Sequence, residues 1–266
     1  LTRAPLTEAE PSGAAAEGNG TRSRLLVAAR GCSWLLAAWL AVEGLGRVDA
    51  WTRRLARLGF PRMGEHLEIE LKWGLDAGGH ATLATELERL LGAPRRLSQD
   101  NRFFDTADRR LRGAMLNLRL RRENEALLMT CKGRAGIGTA GEHRHTEWEE
   151  WLDPAYWNDI TAGRFDATRL PLPEPVRQAL GDRALQALGG FSNLRLEFRH
   201  PSQPEALLCL DRTDFLGQRT DYELEIETSA PEQHAAEWRA RLGSWGVTIA
   251  PQMMTKFARF LAISGV

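Results

Sequence analysis

The sequence predicts an α+β fold in which a closed antiparallel β-barrel is surrounded by helices. Three observations predict it: alternating strand-like runs dominate residues 63–266, nearly all of them have one charged and one apolar face, and amphipathic helical stretches lie between them. The alternating runs are His66–Trp73, Ala114–Arg122, Ala126–Gly133, His143–Leu152, Asn193–His200, Ala206–Phe215 and Asp221–Thr228.

The first of these runs shows the pattern. Residues at i, i+2 and i+4 of a strand share a face, so Glu68, Glu70 and Lys72 lie together, opposite Ile69 and Leu71. The later runs repeat the arrangement. Their charged faces carry Arg119 with Arg121, Thr130 with Lys132, Glu147 with Glu149, Arg195 with Glu197 and Arg199, Asp211, and Glu223 with Glu225 and Glu227.

Two arrangements of such faces are possible. One solvated side of an open antiparallel sheet explains any single strand. Several strands that each line up like charges favour instead a barrel whose charged faces point inward, because neighbouring strands can then compensate them. Dense carboxylates call for hard cations such as Mg²⁺ or Mn²⁺, and rows of arginine and lysine call for a strongly charged anion. Metal-bound phosphates satisfy both demands.

The helices fit the outside of such a barrel. Gly79–Leu91 and Pro231–Trp245 each place apolar residues on one stripe, which is typical of a helix packed on a sheet. Pro175–Leu180 and Thr255–Ile263 are shorter candidates. The proline-rich segment Asp153–Pro175 is predicted to connect two halves of the domain.

Composition limits the remaining possibilities. The 266 residues carry a formal net charge of +0, so no global field attracts nucleic acid or a membrane, and we expect neither partner. Three cysteines make no disulfide framework and favour a reducing, cytoplasmic location. The oligomeric state is left open by the sequence.

Residues 1–62 differ from the rest. They hold nine arginines, no lysine and five acidic residues, and they show no sustained period. Leu25–Val42 is the one membrane candidate, but Arg30 interrupts it, and a signal-peptide core is the alternative. We interpret residues 1–62 as a disordered extension or an upstream or targeting segment, with translation starting at Met63, and residues 63–266 as the folded domain.

Several motifs resemble those of one family, in the family's order. The run Glu68–Lys72 is similar to the ExExK signature of the CYTH superfamily, the triphosphate tunnel metalloenzymes. All three lysines of the chain fall on motif positions. Further resemblances are Gln99–Thr106 to the second strand, Leu118–Arg121 to the Arg-x-Arg strand, Thr130–Gly133 to the Thr-x-Lys-Gly strand, Glu147–Glu149 to the second Glu pair, Leu210–Phe215 and Tyr222–Thr228 to the late strands, and Met254–Phe257 to the C-terminal lysine motif.

The resemblance implies roles for these residues. Metal ligands, for Mg²⁺ or Mn²⁺, would be Glu68, Glu70, Glu225 and Glu227, with Asp211 as a further candidate. The triphosphate would be bound by Lys72, Arg119, Arg121, Lys132, Arg195 and Lys256. A second metal, or the pair Glu147 and Glu149, would orient and activate the attacking water, with Lys256 also in the catalytic set. Glu223 shares the face of Glu225 and is expected at the tunnel mouth.

The implied function is metal-dependent hydrolysis of a small-molecule triphosphate. The segments Leu188–Arg195 and Met254–Phe257 look most like the plant-type tripolyphosphatase branch, which implies cleavage of tripolyphosphate to diphosphate and phosphate. Arg212 and Phe103 depart from the usual residues there. The alternatives are a thiamine triphosphatase, a class IV-type adenylyl cyclase, and, from another class, a non-catalytic polyphosphate- or nucleotide-binding module.

Two other patterns were weighed. Gly136–Gly141 matches GxGxxG, but a strand follows it rather than a helix, so it predicts a hairpin loop. His143 and His145 lie on the face of Glu147, where a zinc site is the alternative to residues at the mouth or surface. Cys131 is expected in the core.

Overall fold

Nine antiparallel strands form the centre of the part of the chain that the structure describes. The structure, a computed structural model, describes residues 65–137, 141–164 and 169–266. The strands are β1 (Glu65–Leu75), β2 (Arg95–Thr106), β3 (Leu116–Glu123), β4 (Ala126–Ile137), β5 (Glu142–Leu152), β6 (Leu185–His200), β7 (Gln203–Phe215), β8 (Arg219–Glu227) and β9 (Ala250–Pro251).

Eight of these strands close into a barrel, in the order β1-β8-β7-β6-β2-β3-β4-β5 and back to β1. Closure depends on β1, which pairs along Glu65–Leu71 with β5 and along Glu70–Leu75 with β8. The short β9 pairs with Trp73 and Gly74, on the part of β1 that β5 leaves free. The predicted closed antiparallel barrel is therefore confirmed.

Six helices lie among the described residues. They are α1 (Ala77–Leu91), α2 (Arg110–Gly113), α3 (Tyr156–Thr161), α4 (Glu174–Leu180), α5 (Pro231–Ser244) and α6 (Lys256–Ser264). The Asp76 side chain caps α1 by accepting a hydrogen bond from the Gly79 amide at 2.6 Å. Thr255 caps α6 in the same way, through the Ala258 amide at 3.1 Å.

The apolar faces of the strands point outward and are covered by the helices. Leu83 and Leu87 of α1 and Trp238 of α5 pack on Trp73 and Leu224. A second cluster, on the other side of the barrel, joins α2, α3 and α4 to β3 and β4 and includes the buried Cys131, as expected. Full burial of a leucine or phenylalanine side chain contributes about 1.5–3 kcal/mol to the stability of the fold. With the apolar faces outside, the charged faces are left inside the barrel.

The structure also differs from the predicted elements. Strand β6 begins at Leu185, well before the predicted Asn193. The first part of the strand was not predicted because Gly189 and Gly190 interrupt its alternation of polar and apolar residues. A Cβ on Gly190 would lie 1.6 Å from the Asn101 carbonyl oxygen, so the two backbones approach closely there. Helix α3 lies inside the segment predicted as a connection.

Residues 1–62 and Met63 lie outside the described residues, so the interpretation of that segment and of the domain boundary stays a prediction. In the described part of the chain, the helices are all too short or too polar to cross a membrane.

Candidate active site

The barrel encloses a cavity of about 470 Å³ that is lined by the inward, charged faces of its strands. It reaches solvent at the end of the barrel where β1 begins and β8 ends, beside the exposed His66, Arg199 and Glu205. Of the predicted site residues, all but Asp211 line this cavity. These are Glu68, Glu70, Lys72, Arg119, Arg121, Lys132, Glu147, Glu149, Arg195, Glu225, Glu227 and Lys256.

Glu225 is the centre of an ion cluster deep in the barrel. Its carboxylate contacts Lys72 and Arg195 and lies 2.9 Å from the Lys256 Nζ. Lys72 also lies 2.8 Å from Glu70. Burial alone raises the pKa of Glu225, but the three surrounding cations hold that pKa well below its ordinary value. Glu225 is therefore ionised and already surrounded by positive charge.

Asp211 lies behind this cluster and is fully buried. Its two oxygens accept hydrogen bonds from Arg195 at 2.8 and 2.6 Å, from Asn193 at 2.9 Å and from Lys256 at 2.8 Å. Burial raises its pKa, but Arg195 and Lys256 more than offset this and lower it. Asn193, Arg195 and Lys256, which donate these hydrogen bonds to Asp211, all line the cavity. The role of Asp211 as a metal ligand stays a prediction.

The predicted place of Glu223, at the tunnel mouth, is wrong. Glu223 is 1% exposed and lies under α6, where it contacts Lys256 and Arg259. Asp211, Glu223 and Glu225 are close enough to one another to hold a metal ion. The Lys256 ammonium lies among all three carboxylates, so a cation of the chain itself occupies this position.

Other carboxylates of the cavity, on β1, β5 and β8, have fewer cations around them. Lys132 contacts Glu68 and lies 3.4 Å from Glu147. The pKa of Glu68 is well above its ordinary value, because of burial and the neighbouring Glu70. Burial and Glu147 raise the pKa of Glu149 to about 7. Burial, Glu70 and Glu225 do the same for Glu227, whose pKa is also about 7. The positive charge near Glu68, Glu149 and Glu227 is therefore too small to offset burial and the neighbouring carboxylates.

Two guanidinium groups of β3 present the opposite imbalance. Arg119 donates to the Thr130 hydroxyl at 3.1 Å and forms no ion pair with a carboxylate of the described residues. Burial and the adjacent Arg121 lower the pKa of Arg119 to about 10. Arg121 donates to Asn101 at 3.2 Å and lies 3.7 Å from Glu123. Their surroundings favour an incoming anion.

The two histidines of β5 are not surface residues. His143 is fully buried, and its Nε2–H donates to the Gln252 carbonyl at 2.7 Å. His145 lines the cavity 3.6 Å from Glu70, and burial lowers its pKa to about 4, so the ring is neutral at ordinary pH. The placement of both at the mouth or surface is therefore wrong. The GxGxxG match begins at the end of β4 and ends at Gly141, directly before β5, and these two strands pair as antiparallel neighbours.

Sequence reasoning missed the neutral polar residues of the cavity. Gln99, Asn101 and Asn193 line it and hold the charged side chains in place, for instance through the 2.9 Å bond from Asn193 to Gln99. Gln99, Asn101 and Phe103 are spaced by two on β2 and share its inner face, so the period of two was a usable signal. Short amides carry no charge pattern, which is why they did not stand out.

Fold and cavity together define a class: closed antiparallel barrels with a central tunnel lined by carboxylates and basic side chains. The model of the CYTH domain family matches residues 66–244. The chain belongs to the CYTH domain family. A comparison with curated protein sequences found no match.

Three solved structures with this fold match the chain over nearly their whole length. One is a Hippeastrum protein whose name describes an adenylyl cyclase with a dominant triphosphatase activity. It is 28% identical to this chain, with a TM-score of 0.65, and the match covers 73% of this chain and 95% of that one. A Bacillus halodurans protein named as an adenylate cyclase is 25% identical, with a TM-score of 0.57 and 74% and 99% covered. A Pyrococcus horikoshii protein, 15% identical with a TM-score of 0.50 and 74% and 99% covered, shares the fold.

Proposed function

We propose that this protein is a metal-dependent hydrolase of triphosphate compounds and that inorganic tripolyphosphate is its substrate, cleaved to diphosphate and phosphate. One observation carries the proposal. Within one cavity, Arg119 forms no ion pair with a carboxylate of the described residues and Arg121 lies 3.7 Å from its carboxylate partner, while the pKa values of Glu68, Glu149 and Glu227 stay raised because the cations near them do not offset burial and the neighbouring carboxylates. A polyanion that enters together with a divalent cation corrects both imbalances.

The carboxylates fit a hard divalent cation. Glu68, Glu70, Glu225 and Glu227 offer only oxygen donors, which suit Mg²⁺ or Mn²⁺, and Asp211 is kept as a further predicted ligand. The raised pKa values of Glu68 and Glu227 are what a site short of one cation has. Bound there, such a metal supplies charge neutralisation for the phosphate oxygens.

The basic side chains would bind and orient the triphosphate. Arg119 and Arg121 each offer a planar fork of N–H donors to phosphate oxygens. Lys72, Lys132, Arg195 and Lys256 add charge from the other strands and from α6. Each of these four is held by at least one carboxylate, so its position is fixed before substrate arrives.

Glu149 has the properties of a general base for the attacking water. Its pKa of about 7 is near the operating pH, and the Thr130 hydroxyl lies 3.4 Å from its carboxylate. The water oxygen forms a bond to the terminal phosphorus while the bond to the diphosphate oxygen breaks, and the water proton passes to Glu149. Burial, and after it Glu147 on the same face, keep the pKa of Glu149 raised.

The name of the Hippeastrum relative, which reports a dominant triphosphatase activity, supports hydrolysis over cyclization. The cyclase name of the Bacillus halodurans relative supports the alternative of an adenylyl cyclase. A cytoplasmic location remains part of the proposal and is consistent with the buried, free Cys131 and Cys209.

The test is release of phosphate from tripolyphosphate, ATP and thiamine triphosphate, with Mg²⁺ or Mn²⁺ and with excess chelator. We expect the highest kcat/KM with tripolyphosphate and loss of turnover with chelator. Formation of cyclic AMP from ATP in the same samples would instead identify a cyclase. Tight binding of tripolyphosphate without any turnover would identify a non-catalytic binding module.

A further inference from the structure

Helix α6 carries two cations one turn apart that share a carboxylate. The side chains of Lys256 and Arg259 both contact Glu223 on β8. Arg259 also lies 2.8 Å from Asp221 of the same strand, and its guanidinium is stacked over the Phe215 ring at 5.6 Å. Arg259 therefore fixes the helix to β7 and β8.

Arg259 takes no part in the cavity itself. It is 4% exposed, and neither it nor Asp221 nor Glu223 is among the residues that line the cavity. Lys256 does line it, with a side chain that is 13% exposed. The ion pairs of Arg259 with Asp221 and Glu223 therefore lie directly behind Lys256, whose side chain faces the cavity.

We propose that Arg259 is a positioning residue, which holds Lys256 in the cavity by sharing the negative charge of Glu223. Glu223 has two cationic partners among the described residues, and Arg259 is the one outside the cavity. Without Arg259, the whole charge of Glu223 acts on Lys256 and draws its ammonium away from Glu225 and the bound phosphate. The proposal rests on the proposed function, since it assigns Lys256 to the substrate.

The first measurement is kcat/KM for tripolyphosphate in Arg259→Gln. We expect a fall of about 10-fold, or about 1.4 kcal/mol of transition-state stabilisation. Two second substitutions separate positioning from a loss of structure. Adding Glu223→Gln removes the pull on Lys256 and restores activity. In a Lys256→Ala background, Arg259→Gln changes kcat/KM by less than about twofold, because coupled residues are not additive.

A matched control is Phe260→Leu, which weakens the packing of the same helix on Phe103 and Phe191 without touching Glu223. At an equal loss of melting temperature, this variant should keep more activity than Arg259→Gln. The proposal is overturned if Arg259→Gln and Phe260→Leu lose kcat/KM equally. It is also overturned if Glu223→Gln does not restore the activity of Arg259→Gln, or if Arg259→Gln causes the same fold-change with and without Lys256. If Arg259→Gln does not fold, Arg259→Lys is compared in the same way.

A binding measurement keeps this inference separate from the proposed function. The rise in melting temperature with tripolyphosphate, measured without metal, reports binding by the cations. If the wild type hydrolyses nothing, triphosphatase activity fails, but a smaller rise in Arg259→Gln that Glu223→Gln restores still supports positioning. If tripolyphosphate does not stabilise the wild type, both proposals fail.

Discussion

Glu70 and Glu227 are direct partners across the β1–β8 pair, so two carboxylates face each other inside the barrel. Their environments differ. Burial raises the pKa of both, but Lys72, 2.8 Å from Glu70, brings the pKa of Glu70 below its ordinary value. Glu227 lies 3.9 Å from Arg195, has no closer cation in the described structure, and keeps a pKa of about 7. One carboxylate of the pair is ready to bind a divalent cation, and the other must first lose a proton.

This asymmetry predicts that metal binding depends on pH. Glu149 and Glu227, with pKa values of about 7, hold protons in the folded state that ordinary carboxyls lose near 4.5. Their contribution to stability is present below 4.5 and is lost as pH rises through about 7 in the metal-free protein. Mg²⁺ or Mn²⁺ bound at Glu227 displaces its proton, and the added positive charge also favours the ionised form of Glu149, so the metal-induced rise in melting temperature should grow between about pH 6.5 and 8 and then level off.

The cavity histidine that lies 3.6 Å from Glu70 does not titrate in that window. His145, with a pKa of about 4, is already neutral there. Thermal unfolding with and without metal, at several pH values, is the measurement. A metal effect that is constant over the window would show that these carboxyls are not protonated in the empty site.

The second prediction concerns Glu70→Gln. The amide keeps the size of the side chain but removes an anionic oxygen ligand and one partner of Lys72. We expect a folded protein that still binds tripolyphosphate, is nearly inactive, and has a weaker dependence of melting temperature on metal. The exposed Glu88→Gln on α1 is the control and should behave as wild type. Full activity of Glu70→Gln would contradict the metal assignment.

The third prediction concerns Arg121→Ala. Loss of a charge-assisted contact to phosphate should cost about 1.5–3 kcal/mol and lower kcat/KM by roughly 10- to 150-fold. Arg122 is the natural control, because it is the next residue on β3, points outward and stacks over Trp157 at 5.4 Å. Steady-state kinetics on both alanine variants should show the loss in Arg121→Ala alone. Equal kinetics in the two variants would remove Arg121 from the site.

The fourth prediction concerns Asp211→Asn. A neutral amide removes one buried anionic partner from both Arg195 and Lys256, which keep Glu225 and Glu223, so the free energy of unfolding should fall by less than the roughly 3–5 kcal/mol of a fully broken buried pair. Chemical denaturation measures this loss. The metal-induced stabilisation distinguishes the two roles: it persists in Asp211→Asn if Asp211 only anchors the cations, and it disappears if Asp211 is itself a ligand.

The sequence was sufficient to predict whether a strand residue faces the inside or the outside of the barrel. Alternation has a period of two, which is a local property, so Glu68, Arg119 and Glu147 could be placed on the inner face without knowing any strand order. The same reasoning failed where local patterns stop. Gly189 and Gly190 broke the period of β6, and α2 and α3 are too short to show a helical period.

Only the tertiary structure decided which charges meet. Lys72 and Glu225 are 153 residues apart in the chain, and their contact follows from the register of β1 on β8. Contacts from β6 and α6 bring Glu225 to three cations, whereas Arg119 on β3 has no ion pair with a carboxylate of the described residues. Glu223 was expected at the mouth because it continues a charged row, but α6 packs over it and buries it. A period of two fixes the face of a side chain, whereas its partners and its depth depend on strands and helices that are distant in sequence.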